Sequence, residues 1–442
     1  MPGLDAAGRQ RAADYMAHSR AVYHGDVVDF LCVPKLYTPD EVDRLAAIAR
    51  TTHEILCAVT SAYVADASYR ALFGFPPELE ALILQDPGYG SDIPMLRTDI
   101  FYDEVTGDFQ FCEFNTDGSS AMIEDREVSC AVSLTDAYAR FAADHSLQRF
   151  ETFDSWVDTL LRLYGTVAGA VARPRLAIGD FLDLTTPYEI ADFAERFRAA
   201  GADAVVCDLR DLYWDGTRLR DPDGQALDVI YRRAVTSDIM ARADEVTDFL
   251  AAVQAGAVTP VGSFRSQVAH SKTIFPLLLH DQTLRLLPTE QQEFLRRHVP
   301  RTELLSADDS ALLDAVIREP ARWIIKPADR YGAQDVVAGK SCDPDAWEQL
   351  VCERAAAGGH IVQSYIEQYR SPNLHSGYRM SEGRDALPLL SPGEPPQIRD
   401  YQELLGLYTY DGRFAGCLMR AGLSSTINAA AGGCTLGTFR VQ

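Results

Sequence analysis

The sequence predicts an α/β protein made of more than one lobe, and three observations carry that prediction. Two short period-two segments at 97–102 and 109–115 flank a turn, as in a β-hairpin. A strand–helix–strand succession fills 174–235, the spacing of a parallel βαβ unit. Helical patterning dominates 1–90 and 240–322. A chain of 442 residues also exceeds what one hydrophobic core comfortably holds.

Residues 1 to about 90 read as mainly helical, and Thr38-Pro39-Asp40-Glu41 has the form of a capping box with proline in the first turn. The hairpin comes next. Side chains alternate along a strand, so Arg97 and Asp99 share one face, as do Glu113 and Asn115. Folding about Thr106 sets Asp99 opposite Glu113 and Arg97 opposite Asn115. Carboxylates directly opposite repel, and a divalent cation between them would turn that liability into a site. Hard oxygen donors favour magnesium. The alternative is a solvated hairpin face. Asp117, Gly118, Ser119 and Ser120 follow at once, adding an oxygen donor and a flexible loop.

A helical stretch is expected from about 124 to 171. Leu176-Ala177-Ile178-Gly179 then reads as a strand, Thr186-Pro187-Tyr188-Glu189 as a helix start, and Ala204–Cys207 and Val229–Tyr231 as further strands. No G-x-G-x-x-G accompanies them, so this lobe reads as a recognition platform or as scaffold.

Trp323-Ile324-Ile325-Lys326-Pro327 opens a new sheet unit. A lysine closing an apolar strand is costly unless an anion meets it, and the loop from Pro327 to Val336, with Arg330 and Gly332, is suited to lie over phosphates. The plain alternative is a lysine that snorkels to water. Val362-Gln363-Ser364-Tyr365-Ile366-Glu367 reads as a strand and hinge whose backbone would face a base edge while Glu367 held a ribose; a buried strand looks the same. Late in the chain, the strand ending at Arg420 precedes Ser424, Ser425, Asn428 and Gly432-Gly433, an anion-friendly loop or an ordinary glycine loop. The stretch from Ser381 to Pro396 is expected to be a surface loop.

Composition narrows the classes. A formal net charge of −23 opposes a broad nucleic-acid or anionic-membrane surface, without opposing a local phosphate pocket. No apolar run reaches bilayer length and no secretory leader is apparent. Nine scattered cysteines without a C-x-x-C pair fit a reducing cytoplasm. Cys434, after Gly432-Gly433, is the one considered as a nucleophile, and no histidine stands near it in sequence.

The order of these motifs resembles the ATP-grasp ligases, and within them the circularly permuted, glutathionylspermidine synthase-like branch. There an arginine and an aspartate two apart precede a glutamate and an asparagine two apart, matching Arg97, Asp99, Glu113 and Asn115. The resemblance implies magnesium binding by Asp99, Glu113 and Asn115, and Arg97 facing the reacting phosphate. It matches Lys272, in Ser271-Lys272-Thr273-Ile274, and Lys326 to the two nucleotide lysines, and Arg420 to a late strand arginine. The loop after Lys326 is not of the Gly-Arg-Glu-Gly type, the tail differs, and no amidase domain precedes the ligase part.

The expected organisation is therefore a helical region with the metal hairpin (1–172), a βαβ substrate lobe (173–262) and a nucleotide-binding region of an ATP-grasp core (263–442). The expected activity is ATP-dependent, magnesium-assisted joining of a carboxylate to an amine through an acyl phosphate, with amino acids or short peptides as substrates and a homodimer as the assembly. Gly332, Gln363, Tyr365, Ile366 and Glu367 are expected at the nucleotide, and Asp117, Ser119, Ser120, Ser424, Ser425 and Asn428 at the substrates. The competing readings are an ATP-binding module without turnover and a phosphotransferase without an amine step.

Overall fold

The computed structural model describes residues 5–23, 25–185, 187–381, 383–384, 386–389, 396–427 and 432–442. Helix α1 (Pro39–Ala65) begins as its residues dictate, with Thr38 and Glu41 closing a reciprocal capping box and Pro39 in the first turn. Its apolar stripe, including Leu45, Ile48, Leu56 and Val59, is buried. The hairpin follows as β1 (Met95–Tyr102) and β2 (Phe109–Asn115), then helix α2 (Met122–Ser133). The βαβ region comprises β3 (Arg175–Asp180), α3 (Pro187–Ala199), β4 (Asp203–Asp208), β5 (Val229–Arg232), α4 (Thr236–Ala241) and β6 (Thr259–Val261). A short helix α5 (Gln267–His270) leads to β7 (Thr302–Leu304), β8 (Trp323–Pro327), β9 (Val337–Ala338), helix α6 (Pro344–Ala357) and β10 (His360–Ser364). The chain ends through β11 (Arg370–Leu374), β12 (Ile398–Tyr410), β13 (Arg413–Gly422) and β14 (Cys434–Leu436).

Three sheets matter for the site. The largest is antiparallel in the order β14-β13-β12-β1-β2, with β11 alongside β12. Strands near the C-terminus therefore flank the early hairpin, and Tyr408 and Gly406 pair with Arg97 and Asp99. A side chain at Gly406 would place its Cβ 2.9 Å from Asp99 Oδ1 and 3.0 Å from Arg97 Cδ, so only glycine leaves room for that ion pair. The second sheet is parallel, β6-β5-β3-β4, as the βαβ spacing predicts. The third is antiparallel, β7-β10-β8-β9.

Departures from the sequence reading have local causes. The stretch 124–171 is not one helix: Thr135 accepts from the Tyr138 N–H and starts a new one, Asp136–Ala142. Leu147–Arg149 is a strand because Thr438–Val441 pairs with it, a partner nearly three hundred residues away. The same C-terminal segment draws Lys35–Tyr37 into a parallel pair within the otherwise helical beginning. Strand β10 stops at Ser364, leaving Tyr365, Ile366 and Glu367 outside the sheet. Within the expected loop 381–396, Leu387–Pro388 pairs with Tyr378–Arg379; residues 382, 385 and 390–395 lie outside the described residues.

Candidate active site

The hairpin floor has the register read from its sequence: Arg97 faces Asn115 and Asp99 faces Glu113. The register shifts between Asp99 and Ile100, leaving Cys112 as an extra residue on β2, and such a bulge re-aims neighbouring side chains. Arg97 Nε donates to Asp99 Oδ1 at 2.7 Å and Nη2 to Oδ2 at 3.0 Å. Asn115 Nδ2 adds a third bond to Asp99 Oδ2 at 3.2 Å, and Arg97 Nη1 reaches the Ser120 carbonyl at 2.9 Å. Burial raises the Asp99 carboxyl, Arg97 pulls it back, and Glu113 pushes it up again; the net direction is upward. For Glu113 burial also acts upward, but Lys272, Lys326 and Arg97 outweigh it and hold its carboxyl well below the usual range.

The two lysines arrive from the other side. Lys272 Nζ lies 3.5 Å from Glu113 and donates to the Arg330 carbonyl at 2.7 Å. Its own N–H donates to the Ala328 carbonyl at 2.8 Å, which ties its segment to the end of β8. Lys326 Nζ, buried, donates to Gln363 Oε1 at 2.8 Å and to the Cys112 carbonyl on β2 at 3.3 Å. Arg420, on β13, reaches Glu124 of α2 at 3.4 Å.

Arg97, Asp99, Glu113, Asn115, Lys272, Lys326, Gly332 and Arg420 all line one cavity of about 220 Å³, together with Asp117, Ser119, Ser120 and Ser425. Several of these are already spoken for. Asp117 is fully enclosed, paired with Arg232 at 2.8 Å and hydrogen-bonded by Thr236 and Ser266; burial opposes ionisation, but Arg232 wins and holds the carboxyl at about 2. Ser119 Oγ donates to the Asn115 carbonyl at 2.6 Å, and the Ser120 carbonyl accepts from Tyr408 Oη at 2.6 Å. Ser425 Oγ meets Ser341 Oγ at 2.8 Å.

Other expected residues fall outside the cavity lining. Gln363 is buried between Lys326 and Thr302 Oγ1 (2.8 Å), where it orients the lysine. The Tyr365 ring lies 3.9 Å from Lys340 Nζ, and its hydroxyl reaches the Ser425 carbonyl at 3.3 Å. Glu367 is exposed and pairs with Lys340 at 2.9 Å, away from any position over the cavity. Ile366 is half-buried beside them, and Ser424 bonds within its own loop to Thr426. Asn428 lies outside the described residues. Cys434 is buried, and burial pushes its thiol up to about 12, unlike an activated nucleophile.

The far end of the cavity was not read from sequence. Asp180 ends β3, Arg233 follows β5, Asp238 lies in α4 and Glu189 in α3, and all four line the cavity. Arg233 pairs with Glu189 at 3.0 Å, and Glu189 also accepts from the Ile123 N–H at 3.1 Å, capping α2. The available signal was topological: the carboxyl ends of parallel strands open onto sites, and Arg232-Arg233 closes an apolar strand. Apolar walls come from Phe101, Ile324 and Val336.

The hairpin suits a magnesium ion in donor chemistry. Among the described residues no group of three His, Cys, Asp or Glu side chains gathers as a metal cage. Two opposed carboxylates with an amide are what magnesium takes from a protein when phosphates and water supply the rest.

No protein-family model and no curated sequence matches the chain. Among solved structures, a glutathione synthetase-like effector (GSS30) from Globodera pallida superposes with a TM-score of 0.58 at 12% identity, covering 99% of this chain and 97% of that one. D-alanyl-alanine synthetase A from Vibrio cholerae gives 0.31 at 9% identity over 53% and 68%, and the D-cycloserine synthetase DcsG gives 0.30 at 15% over 60% and 91%. The first of these likenesses extends over nearly the whole of both chains, and what it shows is the fold: a mixed α/β architecture shared with a glutathione synthetase-like protein.

Proposed function

We propose that the chain is an ATP-dependent carboxylate–amine ligase of the ATP-grasp type. One observation carries this reading: acids from the early hairpin, Lys272 from the segment after α5 and Lys326 from a different sheet converge on a single cavity, with Lys272 3.5 Å from Glu113 and Lys326 3.3 Å from the β2 backbone. Lys272 and Lys326 then neutralise the nucleotide phosphates, and Phe101, Ile324 and Val336 offer apolar walls to a flat base. Asp99, Glu113 and Asn115 are the residues that would hold magnesium, which supplies charge neutralisation at the phosphates when bound. A carboxylate oxygen of the first substrate attacks the γ-phosphorus, the bond to the β,γ-bridging oxygen breaks, and ADP leaves. The amine nitrogen attacks the acyl carbon, phosphate departs with its oxygen, and the nitrogen loses a proton to solvent. Arg97 and Arg420 stabilise charge on the transferred group. The substrates in this reading are small molecules, amino acids or short peptides, used in the cytoplasm by a homodimer.

The test is ADP release from ATP and magnesium across a panel of carboxylates, with and without amines. Amine-dependent ADP release with amide formation is expected. ATP use that yields a phosphorylated product and no amide would replace the ligase with a phosphotransferase, and no ATP use with any carboxylate would leave only a binding module.

A further inference from the structure

The cavity is electrically lopsided. At the hairpin end every carboxylate meets a cation: Arg97 takes Asp99 at 2.7 Å, and Lys272 stands 3.5 Å from Glu113. At the opposite end two carboxylates do not. Asp180, nine-tenths buried, accepts the Phe181 N–H on Oδ1 at 2.8 Å and the Thr185 hydroxyl, both neutral donors, and no cation among the described residues lies within ion-pair distance of it. Arg233 is close enough to lower its carboxyl, but that guanidinium is committed to Glu189 at 3.0 Å and to the Ser119 carbonyl. Asp238 accepts from Tyr331 Oη at 2.9 Å, while Arg242, the cation that lowers it, is paired with Asp183 at 3.0 Å.

We propose that Asp180 and Asp238, with Tyr331 bonded to Asp238, form a cation subsite that takes the amine substrate as its ammonium. The ammonium loses one proton to solvent before the freed lone pair attacks the acyl carbon, and a second as the amide forms. The proposal rests on the ligase reading for the word substrate, and on the geometry for the cation. Burying a carboxylate without a counter-charge is unfavourable, so a ligand that brings one is favoured here over a neutral or anionic one. Burial lifts the Asp180 carboxyl to about 6 and raises that of Asp238, as expected where a protein cation is missing. The Tyr331 phenol is itself pushed well upward by burial and by Asp238, so it remains an O–H donor and leaves the carboxylates to accept. Thr185 donates its hydroxyl hydrogen bond to Asp180, and the remaining lone pairs of the two carboxylates are free to accept from the N–H donors of a primary ammonium. A divalent cation is the competing occupant of two carboxylates, and magnesium chloride alone tests it.

The experiment titrates the full chain by calorimetry with butylammonium, with the neutral isostere 1-butanol and with magnesium chloride alone. The wild-type chain should bind butylammonium and not butanol. Asp180→Asn and Asp238→Asn should each weaken that binding about tenfold, the loss of one charge-assisted hydrogen bond. In amine-dependent ADP release the same variants should raise KM for the amine about tenfold and leave KM for ATP within about twofold. Equal binding of butylammonium and butanol, no binding of either, unchanged binding in both variants, or magnesium binding lost in them overturns the subsite. Should Asp180→Asn fail to fold, Asp238→Asn and the charged-against-neutral contrast in the wild type decide alone. Failure of the ligase reading is seen separately: Asp180-dependent butylammonium binding with no ADP release under any carboxylate sinks the enzyme and keeps the cation subsite.

Discussion

At Glu113 two opposing effects can be weighed. Burial favours the neutral acid, yet the surrounding Lys272, Lys326 and Arg97 keep it ionised, so the charge is maintained by the site's own cations. Its side chain still faces the cavity, 26% exposed, so little packing depends on it. Glu113→Gln is therefore expected to cut ADP release by about 100-fold or more, the scale of removing one transition-state electrostatic contact, while the melting temperature stays within a few degrees. A large loss of stability instead would make Glu113 a structural residue. Asp125 is the contrasting case. Burial lifts its carboxyl to about 8 even though Thr438 Oγ1 donates to it at 2.9 Å. Between an unfolded pKa near 4 and a folded one near 8 the native state holds the extra proton, so stability falls as pH rises through that window. Asp125→Asn removes the titration, and its melting temperature should gain on the wild type from pH 5 to pH 8, by the equivalent of about 3–4 kcal/mol. Parallel curves would refute it. The hairpin quartet was legible because strand alternation and a short turn fix which side chains face each other. Asp180, Glu189 and Arg233 were not, because only sheet order brings three distant segments to one wall.

Among the elements, the loop between β2 and α2 is fastened to the parallel sheet by one enclosed ion pair. Asp117 and Arg232 are both fully buried, and Thr236 and Ser266 complete the carboxylate's bonds. Cutting one partner strands the other charge inside the protein, so Asp117→Ala should cost about 3–5 kcal/mol in urea unfolding. A cost below about 1 kcal/mol would mean that water or a rearranged side chain reaches Arg232. Gly118, next along, has φ +55, and a Cβ there would lie 2.6 Å from the Arg233 carbonyl. Gly118→Ala should thus destabilise by about 1–3 kcal/mol and disturb the wall carrying Arg233; a melting temperature unchanged from the wild type would show that the loop gives way. Elements with local signals were readable. The Thr38 cap, the β3 and β5 runs and the Asp411-Gly412 turn, with φ +45 and +80, all announce themselves within a few residues. Leu147–Arg149 had no such signal, since its strand identity comes from Thr438–Val441. Gln363, Tyr365 and Glu367 show a related limit: the apolar run was visible, but not that Gln363 turns inward to Lys326 while Glu367 turns out to Lys340.

For the whole molecule the decisive feature is that two sheets built from remote parts of the chain share one cavity. The hairpin sheet contributes Arg97, Asp99 and Glu113, and the sheet of β7-β10-β8-β9 contributes Lys326, which reaches across to the Cys112 carbonyl at 3.3 Å. Leu305, Trp323, Ile325, Trp347 and Val362 form a core beneath the third sheet that is separate from the cluster holding Ile100, Phe111 and Phe114 of the hairpin. Parts with separate cores are where local opening costs less than global unfolding. A ligand that spans the shared cavity must close both. ADP or a non-hydrolysable ATP analogue with magnesium, at about 100 times its Kd, adds about 2.7 kcal/mol to the native state. Hydrogen exchange should register that gain on both sides at once, with slower exchange in 97–115 and in 323–336. Lys326→Met removes the cation that reaches across without removing its apolar stem, and should abolish protection on both sides together. Protection confined to one sheet, or retained in Lys326→Met, would show that the nucleotide does not bridge them, and the convergence of acids and lysines would then be a structural salt bridge and not a phosphate site.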